Sequence, residues 1–320
     1  MAIHFQGITQ PPIQNLTLGA PDGSMIGIVG LRGSGKAALL RIAAGIDEPA
    51  AGTVEGGASR RLIVLGEPLN FAPVDVLLLD AALACQDPLV RERACFALER
   101  MRRAGTTILF ASHDEALLAR LCDEIWWFHE GRLEAKGDAR DVFPKYRRFV
   151  ADRIVEWGKT LSEPLDVSSR RGDGRAEVVS LQTLGPDETP TVVLGSHQAA
   201  IVRVELVYQA AVENPVVGIM IRTRVGLEVF GTNTELEEAV IGPVRAGERV
   251  VVRFDFNCSL CPGQYTLTAA SHDRDGTAHE WLDDAIAFSV TDGRYTAGVA
   301  NLRAAVSVSR GEGRPQATAC

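Results

Sequence analysis

Aromatic residues make up only 6% of this 320-residue chain, and its six cysteines follow no repeating spacing. Scattered cysteines exclude the disulfide framework of a small secreted domain and read as reduced thiols. Cys258 and Cys261 form a CxxC, but no second pair stands at ligand spacing, so they are expected as two thiols at a strand end rather than a zinc or redox site. No charge-free apolar run approaches the ~20 residues of a membrane span, and Met1 to Gln6 lacks the basic start and apolar core of a signal peptide. The expected location is therefore the cytoplasm. Lys and Arg never form a block, and 41 acidic residues face 33 basic ones for a net charge of −8. That balance excludes nonspecific binding of nucleic acid or anionic lipid.

What the chain does have is apolar content, with 46% hydrophobic and 23% charged residues, and length enough for two domains with separate cores. The most informative stretch is Val29-Gly30-Leu31-Arg32-Gly33-Ser34-Gly35-Lys36-Ala37-Ala38. It follows an apolar run, Met25 to Val29, that predicts a buried strand, and precedes apolar residues at helical spacing. Strand, glycine loop and helix make the P-loop context. The glycines let successive backbone N–H groups turn toward an anion, the helix N-terminus adds its positive end, and Lys36 adds a point charge. Gly30, Gly33, Ser34, Gly35, Lys36, Ala37 and Ala38 are thus the candidate nucleotide-binding residues. Ala37 stands where the motif has Ser or Thr, whose hydroxyl is a Mg²⁺ ligand that a methyl group cannot replace.

Further along, Val76 to Asp80 predicts a central parallel strand whose carboxylate emerges at the C-terminal edge of the sheet, the Walker B pattern. Asp80 is the candidate Mg²⁺ ligand. The next residue, which in such ATPases polarises the attacking water, is Ala81. Asp87 to Arg103 predicts a capped helix, Thr106 to Ala111 a strand, Glu115 to Leu121 a helix and Ile125 to His129 a last strand. The alternation predicts an α/β domain with a parallel sheet. Gly45 to Gly57 reads as turns.

Residues 151–175 read as a linker, polar and turn-rich around Ser168 to Gly174. From Glu177 the apolar period becomes two, with predicted strands at Ile201–Tyr208, Val216–Val225, Val250–Phe256, Tyr265–Ala270 and Ala285–Val290. Glycine turns are expected at Gly226, Gly231, Gly247, Gly263 and Gly276. This predicts an all-β immunoglobulin-like sandwich over residues 176–310, after an α/β domain over 1–150 and before a tail over 311–320.

The order P-loop, Leu77-Leu78-Leu79-Asp80, Ser112-His113-Asp114-Glu115, then strand and Glu130-Gly131-Arg132-Leu133 resembles the nucleotide-binding subunit of ABC transporters. The resemblance implies that Asp80 is the Walker B aspartate and His113 the switch histidine at the γ-phosphate, the two candidate catalytic residues, with ATP and Mg²⁺ as cofactors. Lys36 and Asp80 stand only 44 positions apart. Neither the glutamine loop nor the helical subdomain with its signature sequence, which the family inserts there, is present. With the hydroxyl, the carboxylate after Asp80 and the signature all missing, weak or no ATP hydrolysis is expected.

Gly218 to Thr234, Pro262-Gly263-Gln264-Tyr265 and Trp281-Leu282-Asp283-Asp284-Ala285 resemble the C-terminal carbohydrate-binding domain of the Wzt-type subunit of O-antigen polysaccharide ABC exporters. The resemblance implies a cytoplasmic polysaccharide-recognition subunit, peripheral at the inner membrane. Its implied partners are a lipid-linked glycan, a transmembrane transporter subunit or full-length ATPase subunit, and a second copy of itself in a homodimer; nucleic acid is not among them. Sugar sites combine an aromatic face with planar polar groups, so Arg222, Asn233, His279 and Trp281 are the candidate glycan contacts. The alternatives are that Trp281 fills the sandwich core and Asn233 caps a turn. The other function readings are a working ATPase completed by a partner, and a P-loop kinase or nucleotide-sugar enzyme. The latter needs a base and a metal site that the sequence does not display.

Overall fold

The computed structural model describes residues 3–308, and the chain divides into two compact units between Phe149 and Val150. Cys320 and the expected tail lie outside the described residues. No helix among the described residues is long and apolar enough to cross a membrane.

The first unit is built from β1 (Ile3–Gln10), β2 (Ile13–Ala20), β3 (Met25–Val29), α1 (Lys36–Ala43), β4 (Ala51–Glu55), β5 (Arg60–Val64), β6 (Val76–Asp80), α2 (Pro88–Arg103), β7 (Thr107–Ala111), α3 (Glu115–Leu121), β8 (Glu124–His129) and β9 (Arg132–Gly137), with α4 (Ala139–Gly158) running on past the division. The main sheet has the order β5-β6-β7-β3-β8-β9. All its pairs are parallel except β8 with β9. Every residue of β3 and β7 is buried, the signature of strands covered on both faces. Ile26, Ile28, Leu39, Leu40, Leu78, Leu109 and Trp126 share one core.

Local chemistry sets the element ends. The Asp87 carboxylate accepts from the N–H groups of Leu89 and Val90, both at 2.9 Å, and Pro88 opens α2 where a missing N–H costs nothing. Asp114 caps α3 in the same way, accepting from Leu117 N–H at 2.8 Å. Residues 65–75 carry no helix, so β5 leads to β6 through turn and coil alone. One expectation changes here. Gly45 to Gly57 is not all turn, because β4 adds to β1 as the third strand of the β2-β1-β4 sheet. Only this pairing with a strand distant in sequence makes β4 a strand; its five residues, Ala-Gly-Thr-Val-Glu, carry little apolar pattern.

The second unit contains β10 (Arg170–Arg171), β11 (Ala176–Leu184), β12 (Val193–Gly195), β13 (Ala199–Tyr208), β14 (Val216–Thr223), β15 (Glu228–Asn233), β16 (Arg249–Asn257), β17 (Gly263–His272) and β18 (Ala278–Thr291). One sheet has the order β10-β18-β17-β14-β15, with β12 also on β18, and the other the order β11-β13-β16. Inward residues of both sheets, among them Val202, Val204, Leu206, Ile219, Ile221, Leu267, Leu282 and Ile286, form one core.

The stretch expected as a linker at 151–175 is ordered into elements. Helix α4 holds it to Gly158, and Arg170 and Arg171 pair with Leu282 and Trp281 of β18. Composition could not reveal this, since the residues are polar and the partner strand lies over 100 positions away. Gly231, expected as a turn, lies inside β15 opposite Met220, and Gly263 opens β17.

Candidate functional site

In the first unit the sheet order brings the C-terminal ends of β3, β6 and β7 side by side, which gathers Lys36, Asp80 and His113 from three separate stretches of chain. Gly30 leaves β3 with φ of 155°, and a Cβ there would lie 2.3 Å from the Phe128 carbonyl oxygen, so only glycine lets the loop pass. Gly35 precedes α1 in the left-handed conformation. The Lys36 ammonium turns back into the loop, donating to the carbonyls of Gly30 (2.7 Å) and Leu31 (2.9 Å) and to Ser34 Oγ (3.2 Å). Ser34 is buried, while Ala37 is exposed and Ala38 partly so on the first turn of α1.

The three charged groups act on one another. Burial pushes the Asp80 carboxyl up, opposed by the charges of Lys36 and His113. Burial pushes the Lys36 amine down, opposed by Asp80. His113 is lowered by burial and by Lys36. Ala81 follows Asp80 with φ of 51° and donates its N–H to the Ala111 carbonyl at 2.9 Å. A cluster of one half-buried cation, one half-buried carboxylate and an imidazole near a helix N-terminus can hold a polyanion with a metal counter-ion. The donor set fits a phosphate group through Lys36 and the loop N–H groups. Toward Mg²⁺ it supplies Asp80 alone, because Ala37 presents a methyl group.

In the second unit a cavity of about 390 Å³ opens on the β18-β17-β14-β15 face, bordered by Trp281, Asn233, Met220, Thr268, Ala270 and His272. Register assembles it: Met220 pairs with Gly231 on one side and Thr268 on the other, and Ala270 pairs with Trp281. Trp281 is half-buried rather than a core residue. Its Nε1 donates to Asp283 Oδ1 at 3.0 Å, and the Arg171 guanidinium lies over its ring, 4.6 Å from the centroid. Asn233 caps a turn, its Oδ1 accepting from Leu236 N–H at 2.8 Å, and it also borders the cavity.

Arg222 and His279 do not border this cavity. Arg222 donates to Asp283 Oδ1 and Glu228 Oε1, both at 3.2 Å, and to Thr268 Oγ1 at 2.9 Å. His279 is fully buried, with Nδ1 3.1 Å from Ser271 Oγ and Nε2 3.0 Å from Asp273 Oδ1. The expectation that His279 meets glycan is thereby corrected; the buried Ser271 hydroxyl also meets Tyr208 Oη at 3.1 Å, so the series ties β17 and β18 to β13. Met220, Thr268, Ala270 and His272 escaped the sequence reading. The available signal was the two-residue period, which needs the strand register before it selects neighbours.

Cys258 and Cys261 are buried free thiols, and burial pushes the Cys258 thiol up. Among the described residues no group of three or more His, Cys, Asp or Glu side chains stands close enough to hold a metal ion. Asp283 and Asp284 instead accept from Arg222, Arg171, Trp281 and Thr266.

The two units therefore define a class: an α/β unit with a P-loop at its sheet edge, followed in the chain by an all-β unit. Residues 167–302 match the family model of the Wzt C-terminal domain. Among curated proteins, the teichoic acids export ATP-binding protein TagH of Bacillus anthracis is 23% identical over 43% of this chain and 36% of its own length. TagH of Staphylococcus haemolyticus is 22% identical over 44% of this chain and 76% of its own length. The chain thus spans about a third of the first of these relatives. Among solved structures, the C-terminal domain of Wzt aligns over 50% of this chain and 99% of its own, with a TM-score of 0.43 and 23% identity. The ATP-binding subunit of an ABC transporter aligns over 46% of this chain and 93% of its own, with a TM-score of 0.39 and 16% identity. More narrowly, the second unit matches the Wzt C-terminal domain, and the chain is similar in part to ATP-binding proteins of teichoic acid export.

Proposed function

We propose that this chain is the polysaccharide-recognition subunit of an ABC-type exporter. Its immunoglobulin-like sandwich, residues 176–310, binds glycan at the Trp281 cavity, and its P-loop unit, residues 1–150, binds nucleotide with little or no hydrolysis. Gly30, Gly33, Ser34, Gly35, Lys36, Ala37 and Ala38 cradle the phosphates, and Asp80 holds the metal. Lys36, which donates to its own loop carbonyls, would hold the phosphate charge that a bound nucleotide supplies, and Asp80 would hold its metal. The observation that carries this reading is the pairing of an intact Lys36 cradle with a methyl group at Ala37 and another at Ala81. Losing one water-positioning or charge-stabilising group typically costs about 10²–10³ in rate.

Residues 65–75, turn and coil only, support the absence of the helical subdomain that would carry a signature sequence and receive a transmembrane subunit. The partners are a polysaccharide of the O-antigen or teichoic acid kind and a membrane transporter at the cytoplasmic face, reached through a fuller ATPase subunit. A titration of the whole protein with Mg·ATP, following heat and phosphate release together, tests the nucleotide part. Binding without release is expected, and Lys36→Ala should weaken it at least tenfold. Rapid release that vanishes with Lys36→Ala would sink the reading.

One observation favours a second reading, an active ATPase completed by a partner: Asp80 and His113 keep their electrostatic contact with Lys36. In that case a mixture with a full-length homologous subunit shows turnover that Asp80→Asn lowers.

A further inference from the structure

We infer that the Trp281 cavity takes an uncharged 6-deoxy sugar and rejects acidic ones. This builds on the glycan-binding reading above and names its substrate class. The lining is dominated by Met220, Val229, Phe230, Leu236, Ala270 and Trp281, and among the described residues it includes no lysine or arginine. Its one carboxylate is Glu228.

The two arginines nearest the cavity are already spoken for. Arg171 Nε and Arg222 Nη1 each lie 3.2 Å from Asp283, on opposite carboxylate oxygens, and Arg222 Nη2 lies 3.2 Å from Glu228. An anionic sugar would thus shed its water beside a carboxylate and meet no unpaired cation, which is the costly arrangement for a charge.

Arg171 lies over the indole yet does not border the cavity, so the ring surface offered to a ligand is the one away from it. The strap that carries Arg171 is fixed. Arg170 Nε lies 2.8 Å from the buried Glu280 carboxylate, Arg175 reaches Asp273 at 2.7 Å, and a Cβ at Gly172 would fall 2.5 Å from the His279 carbonyl oxygen. Trp281 is thereby held as a flat apolar wall, on which the C–H face of a sugar stacks. Few polar groups remain for hydroxyls. Asn233 Oδ1 accepts from Leu236 N–H, and Thr268 Oγ1 accepts from Arg222 and the Asp284 N–H. The Thr268 O–H, the Asn233 amide NH2, His272 Nε2 and the second oxygen of Glu228 are left to orient the ring. A hydroxymethyl group pressed against Met220 and Phe230 loses its water and gains no partner, whereas the methyl of a 6-deoxy sugar fills the same space without that loss.

The test titrates the full-length protein with three tetrasaccharides that differ only in the terminal residue: a 6-deoxyhexose, the parent hexose and the corresponding hexuronic acid. Binding is followed by saturation-transfer NMR and calorimetry. The 6-deoxy ligand should bind about tenfold tighter than the hexose, as one group in an apolar pocket typically discriminates, and the uronic acid should not bind measurably. Trp281→Ala should abolish the preference, and Met220→Lys should reverse it in favour of the uronic acid, with thermal unfolding confirming that both variants fold. Uronic acid binding as tight as the 6-deoxy ligand, lost with Trp281→Ala, overturns the uncharged-sugar inference and leaves the glycan reading standing. Failure of all three ligands to bind overturns both.

Discussion

The two units solve the problem of buried charge in opposite ways. In the P-loop unit, Lys36, Asp80 and His113 face one another across the sheet edge, and burial shifts each toward its neutral form. The site keeps its charges under tension, with Lys36 satisfied only by its own loop. In the sandwich, Arg171, Arg222 and Asp283 neutralise one another beside the cavity rather than in it. The lesson is that the first site is built to receive charge and the second to exclude it.

The comparison can be broken most sharply at Gly30. Gly30→Ala drives a Cβ into the Phe128 carbonyl oxygen and should destabilise the first unit by about 3 kcal/mol or more. Calorimetric unfolding should show that loss while glycan binding by the sandwich persists; simultaneous melting of both units would deny their independence. A smaller effect is expected from restoring the missing hydroxyl. Ala37→Ser should raise Mg²⁺-dependent nucleotide affinity several-fold with no change in its absence, because the added ligand acts through the metal.

Asp80→Asn sharpens the tension argument. Burial raises the folded-state pKa of Asp80 above its ordinary 3.8. Its stabilising contribution is therefore complete below that value and is lost as pH rises through the raised folded-state value. The variant should melt a few degrees higher than the natural protein at pH 8, and the difference should shrink toward pH 4. Equal melting at both pH values would mean that Lys36 and His113 fully compensate the desolvation. Least of all should Asp283→Asn change stability, since Arg171 is half-exposed and Arg222 keeps its ion pair with Glu228. Indole fluorescence should nevertheless shift as Arg171 loosens over Trp281, and sugar affinity should drop several-fold.

How far these features were legible differs between the units for a reason. The P-loop is one contiguous stretch, its chemistry is backbone chemistry, and the strand, loop and helix that carry it follow from local pattern; the helix starts at Lys36 as the motif requires. Asp80 and His113 could be placed because Asp80 ends a short apolar strand and His113 follows another by two residues. The sandwich cavity draws on four strands spread over residues 216–291, so its composition depends on register that no local window contains. Trp281 and Asn233 were visible as residue types, but nothing local separated them from His279, which the irregular register near Ser271 and His272 buries instead. The strap at Arg170 and Arg171 looked like linker because its strand character comes wholly from β18.

The sequence by itself determined the two-part plan, the phosphate cradle with its missing hydroxyl, and the acidic, block-free surface, because periodicity, glycine spacing and charge act over a few residues or over the whole sum. Only the tertiary structure decided that Lys36, Asp80 and His113 act on one another at one sheet edge, that Arg171 backs Trp281, and that the arginines near the cavity are already paired. Those are relations between residues distant in the chain, and electrostatics and packing depend on separation in space, which folding alone supplies.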